Sequence, residues 1–159
     1  MRRFKQQLPE AEVRQILTEA TNGVLSLVDA AGEPYGVPMS FVYDGRQTIY
    51  FHCAREGRKM DCIRHERRAS FCIVALDDVR PAEFTTYFRS VVVNGRIAVV
   101  EERSEVVEAL RLLGAKYAPG HDSGAEIAKG LERVAVLRLT IGSASGKEAI
   151  ELTRRREHQ

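Results

Sequence analysis

The chain has 159 residues, 44% of them hydrophobic and 29% charged, with 24 Lys+Arg against 22 Asp+Glu for a net charge of +2. That length suits one core, and the composition excludes collagen-like, coiled-coil and disordered classes. No apolar run reaches the roughly 20 residues of a membrane helix, and the near-neutral charge argues against a dedicated nucleic-acid binder, which concentrates cations on one face.

Residues 1–4 read as an arm, and a helix is predicted over about 9–21. Pro9 suits a first turn, Glu10 and Glu12 complement its positive end, and Val13, Ile16, Leu17 and Ala20 recur at helical spacing. Asn22-Gly23 is expected to stop it. Val24 to Val28 reads as a buried strand, Asp29 to Glu33 as a turn, and Tyr35 to Tyr43 as a second strand that Pro34 and Pro38 confine to an edge or a bulge. Asp44-Gly45 signals a hairpin into a third strand, Thr48 to His52.

A polar connector, Ala54 to Lys59, leads into a short helix over 59–65 that buries Met60 and Ile63. Strand four covers Ala69 to Ala75, residues 77–81 form a loop, and a long strand spans Phe84 to Val100 with a bend near Asn94-Gly95. A helix from Ser104, its expected N-cap, to Tyr117 turns Val107, Ala109, Leu110 and Leu113 inward. A short helix over 124–130 and a last strand over Val134 to Ile141 complete the core, followed by a Gly/Ser segment, 142–146. The basic residues Arg154, Arg155 and Arg156 then read as part of a solvated tail, 147–159. About six mostly antiparallel strands in meander order favour a barrel, which removes edges. The expected organisation is a single domain with its core over about 24–142.

Cys53, Cys62 and Cys72 are odd in number, and no apolar signal core opens the chain, so a reducing cytoplasm is the simple reading. No Cys or His pair has zinc spacing, so no metal is expected. The chemistry concentrates in Phe51-His52-Cys53-Ala54-Arg55-Glu56-Gly57-Arg58-Lys59-Met60-Asp61. A strand ends there, the chain turns through a glycine, and two cations open a helix. Free N–H groups at the helix start, the Arg fork and the Lys point charge together suit a phosphate. The pattern is neither a Walker loop nor GxGxxG.

The order Tyr35-Gly36-Val37-Pro38-Met39-Ser40-Phe41-Val42-Tyr43-Asp44-Gly45, then Ile49 to Ala54, then Gly57 to Asp61, resembles the pyridoxamine 5'-phosphate oxidase-like FMN-binding split barrels, and within them the 5-nitroimidazole-resistance (Nim-type) branch. Phe84 to Tyr87, Arg89 to Gly95 and Lys116-Tyr117-Ala118-Pro119 extend the likeness, which covers about residues 8–147. The resemblance implies a mainly β fold with flanking helices: a six-stranded antiparallel split β-barrel that binds FMN at the interface of a homodimer. It places the backbone of Val37, Pro38, Met39, Ser40, Phe41 and Val42 along the flavin ring, His52 and Cys53 beside it, Arg58 and Lys59 on its phosphate, and Ser90 near it from the long strand. His52 is the implied catalytic residue, touching substrate or supplying a proton, which an imidazole can do near neutral pH.

Cys53 reads equally as a core filler, Tyr117 and His121 as surface residues or as reaching a site, and Phe84, Tyr87 and Phe88 as core or dimer interface. Lys147 is a second anion contact or a solvated residue. The chain departs from the pyridoxamine oxidases proper: Val37 stands where they carry Arg, and the Trp of their C-terminal Trp and Arg pair is missing, for the chain has no Trp. The resemblance therefore does not extend to vitamin B6 oxidation. The implied activity is FMN-dependent, nitroreductase-like electron transfer to a small planar substrate. NAD(P)H or an external reductase would reload the flavin, since no dinucleotide fingerprint is present. The alternative is a split barrel that holds flavin or haem without turnover.

Overall fold

A computed structural model describes residues 4–121, 124 and 133–158. Four α-helices flank one antiparallel sheet among these residues. A single 3-10 turn, Phe4–Gln6, precedes α1 (Glu10–Glu19), which is followed by β1 (Asn22–Val28), β2 (Pro34–Ser40), β3 (Val42–Tyr43) and β4 (Thr48–Ala54). Then come α2 (Arg58–His65), β5 (Arg68–Arg80), β6 (Thr85–Val99), α3 (Arg103–Tyr117), β7 (Val134–Glu148) and α4 (Ile150–Glu157). The strand order is β2-β1-β5-β6-β7-β4-β3.

The sheet has seven strands rather than the expected six, and its hydrogen-bonded ladder does not close into a barrel. Both differences have one cause. The expected second strand breaks at Phe41, and its two pieces go to opposite ends of the order. β2 pairs with β1, and β3 pairs with β4. Alternation holds through Ser40, but Phe41, Val42 and Tyr43 are buried in succession. Three consecutive buried side chains cannot share one face of a period-2 strand, so the chain must turn there. Phe41 is fully buried and meets Phe71 edge-on at a centroid distance of 4.9 Å. β2 is an edge strand, as its two prolines require.

Other expectations shift at their ends. Asn22-Gly23 opens β1 instead of stopping α1. The Glu102 carboxylate, not Ser104, caps α3, accepting from the Ser104 N–H at 3.4 Å. Residues expected as a loop, 77–80, continue β5, because Asp77, Asp78, Val79 and Arg80 pair with Phe88, Tyr87, Thr86 and Thr85. The Gly/Ser segment lies inside β7, where Ser143, Ala144, Ser145 and Gly146 pair with Asn94, Val93, Val92 and Val91. The bend at Asn94-Gly95 is a register shift, and glycine is obligatory there. A Cβ on Gly95 would stand 2.1 Å from the Thr140 carbonyl oxygen. The helix expected over 124–130 lies outside the described residues apart from Gly124, which is helical.

The core fills the inside of the curved sheet with Leu25, Leu27, Phe41, Ile49, Phe51, Phe71, Ile73, Val91, Val93, Leu137 and Leu139. α1 caps it with Val13 and Leu17, and α2 with Met60, Cys62 and Ile63. α3 packs on the outer side, where Ala109 meets Val100 and Val136. Arg138 donates to both Glu105 oxygens (2.9 and 2.8 Å), and Tyr50 Oη donates to the same carboxylate at 2.9 Å. Burial first, and the Glu105 carboxylate second, push the Tyr50 phenol up to about 12.

The basic stretch expected as a solvated tail is α4, and one of its arginines is drawn into the fold. Arg156 reaches Glu148 Oε1 at 3.2 Å and Glu12 Oε1 at 3.1 Å, while Arg89 Nε donates to Glu148 Oε2 at 3.1 Å. Glu148 is fully buried, so the two guanidinium groups are what make its charge tolerable there.

Candidate functional site at the edge of β2 and the start of the second helix

Gly57 has φ +121°, a conformation open to glycine and strained for any other residue. It turns the chain from the end of β4 into α2, placing Arg58 and Lys59 on the first turn. The Arg58 Nη2 donates to Asp29 Oδ2 at 3.1 Å, and its guanidinium lies 4.6 Å over the Tyr35 ring. Asp29 is fixed in turn: its Oδ1 accepts from the Ala31 and Glu33 N–H groups, both at 3.0 Å. The Glu33 N–H, burial acting against it, and Arg58 together hold the Asp29 carboxyl below its ordinary range. Arg58 is thus braced against the β1–β2 turn and the start of β2, still half exposed. Lys59 is half-buried, with no hydrogen bond or ion pair among the described residues.

This set fits a phosphate carrying a planar apolar body. Two cations and a helix start face solvent together, and the unpaired edge of β2 runs away from them. Pro38 and Ser40 are exposed and Val37 is half-buried, whereas the Met39, Phe41 and Val42 side chains are buried. From Met39, Phe41 and Val42, then, only backbone is available to a ligand. Arg58 and Lys59 could hold such a phosphate, and the β2 edge the planar body.

His52 points outward from β4, beside Val136 of β7, exposed and without a hydrogen-bond partner among the described residues. Its neighbour Cys53 points the other way. The Cys53 thiol is buried with Sγ 3.8 Å from Met60 Sδ, and burial raises its pKa, with the Lys59 charge opposing. The filler reading describes its side chain. Ser90 is half-buried on the outer face of β6, between Val74 and Lys147. It does not join the others within one chain. Ser90 faces Lys147 and His52 faces Val136, positions eleven residues apart on β7, or roughly 35 Å along a strand.

Tyr117 serves the fold: its hydroxyl accepts the Phe41 N–H at 2.9 Å and lies within donating distance of the Phe41 and Thr21 carbonyl oxygens. His121 is exposed. Phe84, Tyr87 and Phe88 divide. Tyr87 is buried, Phe88 is half-buried with Lys147 Nζ 5.2 Å from its ring, and Phe84 stands 98% exposed at the tip of the β5–β6 hairpin. Sequence reasoning missed Asp29 and Tyr35 as the brace of Arg58. Their local pattern reads only as a turn and a strand start, and nothing local pairs a turn carboxylate with a cation 29 positions on.

The outward face of the sheet carries a second feature. Pro38, Val24, Cys72, Val92 and Ser145 lie side by side in register across β2, β1, β5, β6 and β7. Val24, Val28 and Val74 on this face are 42%, 37% and 64% exposed. A row of small and apolar side chains in water is typical of a surface that another molecule covers.

No helix among the described residues is long and apolar enough to cross a membrane. No curated protein matches the chain. Among solved structures, a candidate 5-nitroimidazole antibiotic resistance protein from Bacteroides thetaiotaomicron superposes with a TM-score of 0.77 at 21% identity, over 89% of this chain and 86% of that one. An FAD and heme binding protein from Mycobacterium smegmatis gives 0.75 at 21% identity, over 91% and 73%. An FAD-binding protein from Mesorhizobium loti gives 0.65 at 23% identity, over 91% and 97%. These likenesses establish the shared fold, and the sequence profile of pyridoxamine 5'-phosphate oxidase matches residues 9–148. The chain belongs to the pyridoxamine 5'-phosphate oxidase family.

Proposed function

We propose that the protein is a flavoprotein that binds FMN in a homodimer and passes electrons from the flavin to a small planar substrate of the nitroaromatic kind. The observation that carries this reading is the Arg58–Lys59 pair behind Gly57, braced by Asp29 and Tyr35 and contiguous with the free edge of β2. The two cations bind the phosphate, and Arg58 arrives pre-oriented, which lowers the ordering cost of binding. The β2 backbone and Pro38 lie against the ring. His52, exposed and unpartnered, orients the substrate or hands it a proton from a ring nitrogen. Reducing equivalents come from a nicotinamide dinucleotide or a separate reductase.

Two features support the dimer. Ser90 and His52 lie too far apart in one chain to share a flavin, so a site using both takes one from each copy. The outward row through Val24, Cys72 and Val92 supplies an apolar face for that contact. The similar structures whose names include FAD make flavin the natural ligand class, and the mononucleotide is preferred here because one cation pair matches one phosphate. One of those names also includes heme, and exposed His52 is the residue that would ligate it; a protein holding haem or flavin without turnover is the second reading.

The test is the visible absorption spectrum of the purified protein before and after addition of FMN. The expected result is the two-band flavin spectrum, with FMN affinity falling at least about tenfold in Arg58→Ala/Lys59→Ala, since charge-assisted phosphate contacts are lost. A Soret band would recast His52 as a haem ligand, and a colourless protein that ignores FMN would sink the flavin reading. Val24→Asp/Val74→Asp, which buries charge in the proposed contact, should give monomers by sedimentation and weaken FMN binding.

A further inference from the structure

The outward face of the sheet does not end with the row through Val24, Cys72 and Val92. β5 and β6 run on as a paired hairpin past the ends of their neighbours, since β1 pairs with β5 only as far as Cys72 and β7 with β6 only as far as Arg89. Beyond that point α4 supports the hairpin from the inward side, where Arg155 meets Tyr87. On the outward side Val79 is exposed, and at the tip stands Phe84, almost wholly exposed and held at φ +50°, the one non-glycine residue at positive φ among the described residues. At the other end of the same face a groove of about 980 Å³ opens between α2 and α3, with Val100 and Val136 as its floor. We propose that the hairpin is an arm that reaches a second copy of this chain, and that Phe84 of each copy seats on the Val100–Val136 floor of the other.

The arm rests on the homodimer reading given above and names what the two copies exchange. Three observations carry it. The first is register. A two-fold contact pairs residue i with j and j with i. β6 keeps the same face outward from Thr86 through Phe88, Ser90 and Val92 to its end, because the extra residues at its two register shifts, Ala75 and Gly142, lie in β5 and β7. Phe84 stands eight residues before Val92 and Val100 eight after it, each roughly 27 Å along the strand. A two-fold axis at Val92, across the strand, therefore sets Phe84 of one copy against Val100 of the other. The second is apolar fit. A bulky aromatic in water, on a strained backbone, has no contact in its own chain that accounts for it. The floor opposite packs firmly on Ala109 of α3, and an aromatic anchor seated in a partner's pocket is a common centre of binding energy. The third is charge. Arg64 in the groove is already paired with Asp61 at 2.9 Å, whereas Arg67 and Arg103, beside Glu101, have no ion pair among the described residues. On the arm, Asp78 and Arg80 pair with each other at 2.6 Å, which leaves Asp77 and Glu83 without an ion pair. Unpaired carboxylates near the tip and unpaired guanidinium groups at the groove steer the two together.

Phe84→Trp supplies the readout, because the chain has no tryptophan of its own. Phe84 lies at an exposed tip, so the substitution leaves folding intact. Emission and acrylamide quenching of the full-length variant are followed across a dilution series, with the association state taken from sedimentation at the same concentrations. In the dimer the indole is expected to emit to the blue and to resist quenching, and on dilution to monomers it should become fully accessible. Arg67→Glu/Arg103→Glu, at two exposed side chains, should weaken dimerisation at least about tenfold, since it sets carboxylates against Asp77 and Glu83. Adding Asp77→Lys/Glu83→Lys to that variant should recover most of the loss, and circular dichroism melts confirm that both fold. An indole equally quenched in dimer and monomer overturns the arm and leaves the homodimer standing. The same holds for a charge-reversed variant that dimerises unchanged, or one that the second pair of substitutions does not rescue. A parent protein that stays monomeric at every concentration overturns the homodimer reading, and the arm with it.

Discussion

The Tyr117 hydroxyl, at the last residue of α3, accepts the backbone N–H of Phe41 at 2.9 Å, at the point where one strand becomes two. Phe41 belongs to neither β2 nor β3, so its backbone groups lack a place in the ladder. Tyr117 supplies what the ladder does not, and Lys116 assists, with Nζ 4.3 Å over the Phe41 ring and donating to the Ala20 carbonyl at 2.5 Å. A helix far along the chain thereby fixes the kink from which the β2 edge departs.

Tyr117→Phe keeps the ring and removes only the hydroxyl. It should destabilise the protein by about 1–3 kcal/mol, the usual penalty for an orphaned and part-buried backbone group. Urea denaturation with an unchanged m-value checks this. A loss below about 0.5 kcal/mol would mean that water replaces the hydroxyl at no cost.

Gly57→Ala tests the turn that presents the cations. A Cβ there meets no atom within 4 Å, so any cost is conformational. The expected destabilisation is about 1–3 kcal/mol, the cost of a side chain in a region of positive φ and extended ψ that glycine alone adopts freely. Because the strain falls on the residue before Arg58, FMN affinity should drop as well, by several-fold. Unchanged FMN binding in this variant would separate the loop from the phosphate.

Arg156→Ala removes one of the two guanidinium groups that face buried Glu148, and one of the partners of Glu12. The side chain of Arg156 is 28% exposed, so solvent screens part of the loss. A decrease of about 1–3 kcal/mol is expected in thermal or urea unfolding. Arg154→Ala, two positions earlier on the exposed side of the same helix, should leave stability within about 0.5 kcal/mol of the parent.

Glu66 carries an acid-dependent contribution. Its carboxylate accepts from the Arg68 guanidinium at 2.9 and 2.7 Å and from the Arg68 N–H at 2.8 Å, which holds its pKa down at about 2 against the usual 4.5. A folded-state pKa below the unfolded one stabilises above about pH 4.5, and the benefit fades as pH falls toward 2. Glu66→Gln should therefore flatten the stability profile over that window and leave it unchanged below it. The pair is exposed, so added salt should shrink the difference. A profile identical to the parent's between pH 4.5 and 2 would refute the assignment.

Much of this protein is legible one segment at a time. The apolar spacing of Val13 and Leu17, the prolines of β2, the Asp44-Gly45 hairpin and the glycine before Arg58 each report a local preference, and each local element stands where its residues place it. The errors share a type. Residues 77–80 and 142–146 look like loops by composition, yet both are strand, because a long partner in β6 satisfies their backbone groups.

The sequence by itself therefore determined most of the elements, the family and the cation pair at a helix start, all carried by neighbours within a few positions. Only the tertiary structure decided that Phe41 would split a strand, that Asp29 and Tyr35 would brace Arg58, and that Glu148 would be buried between two arginines. The reason is physical. Periodicity records which face of an element is buried, but not which distant element covers it. That choice depends on packing one closed volume and on pairing every buried charge and backbone group within it.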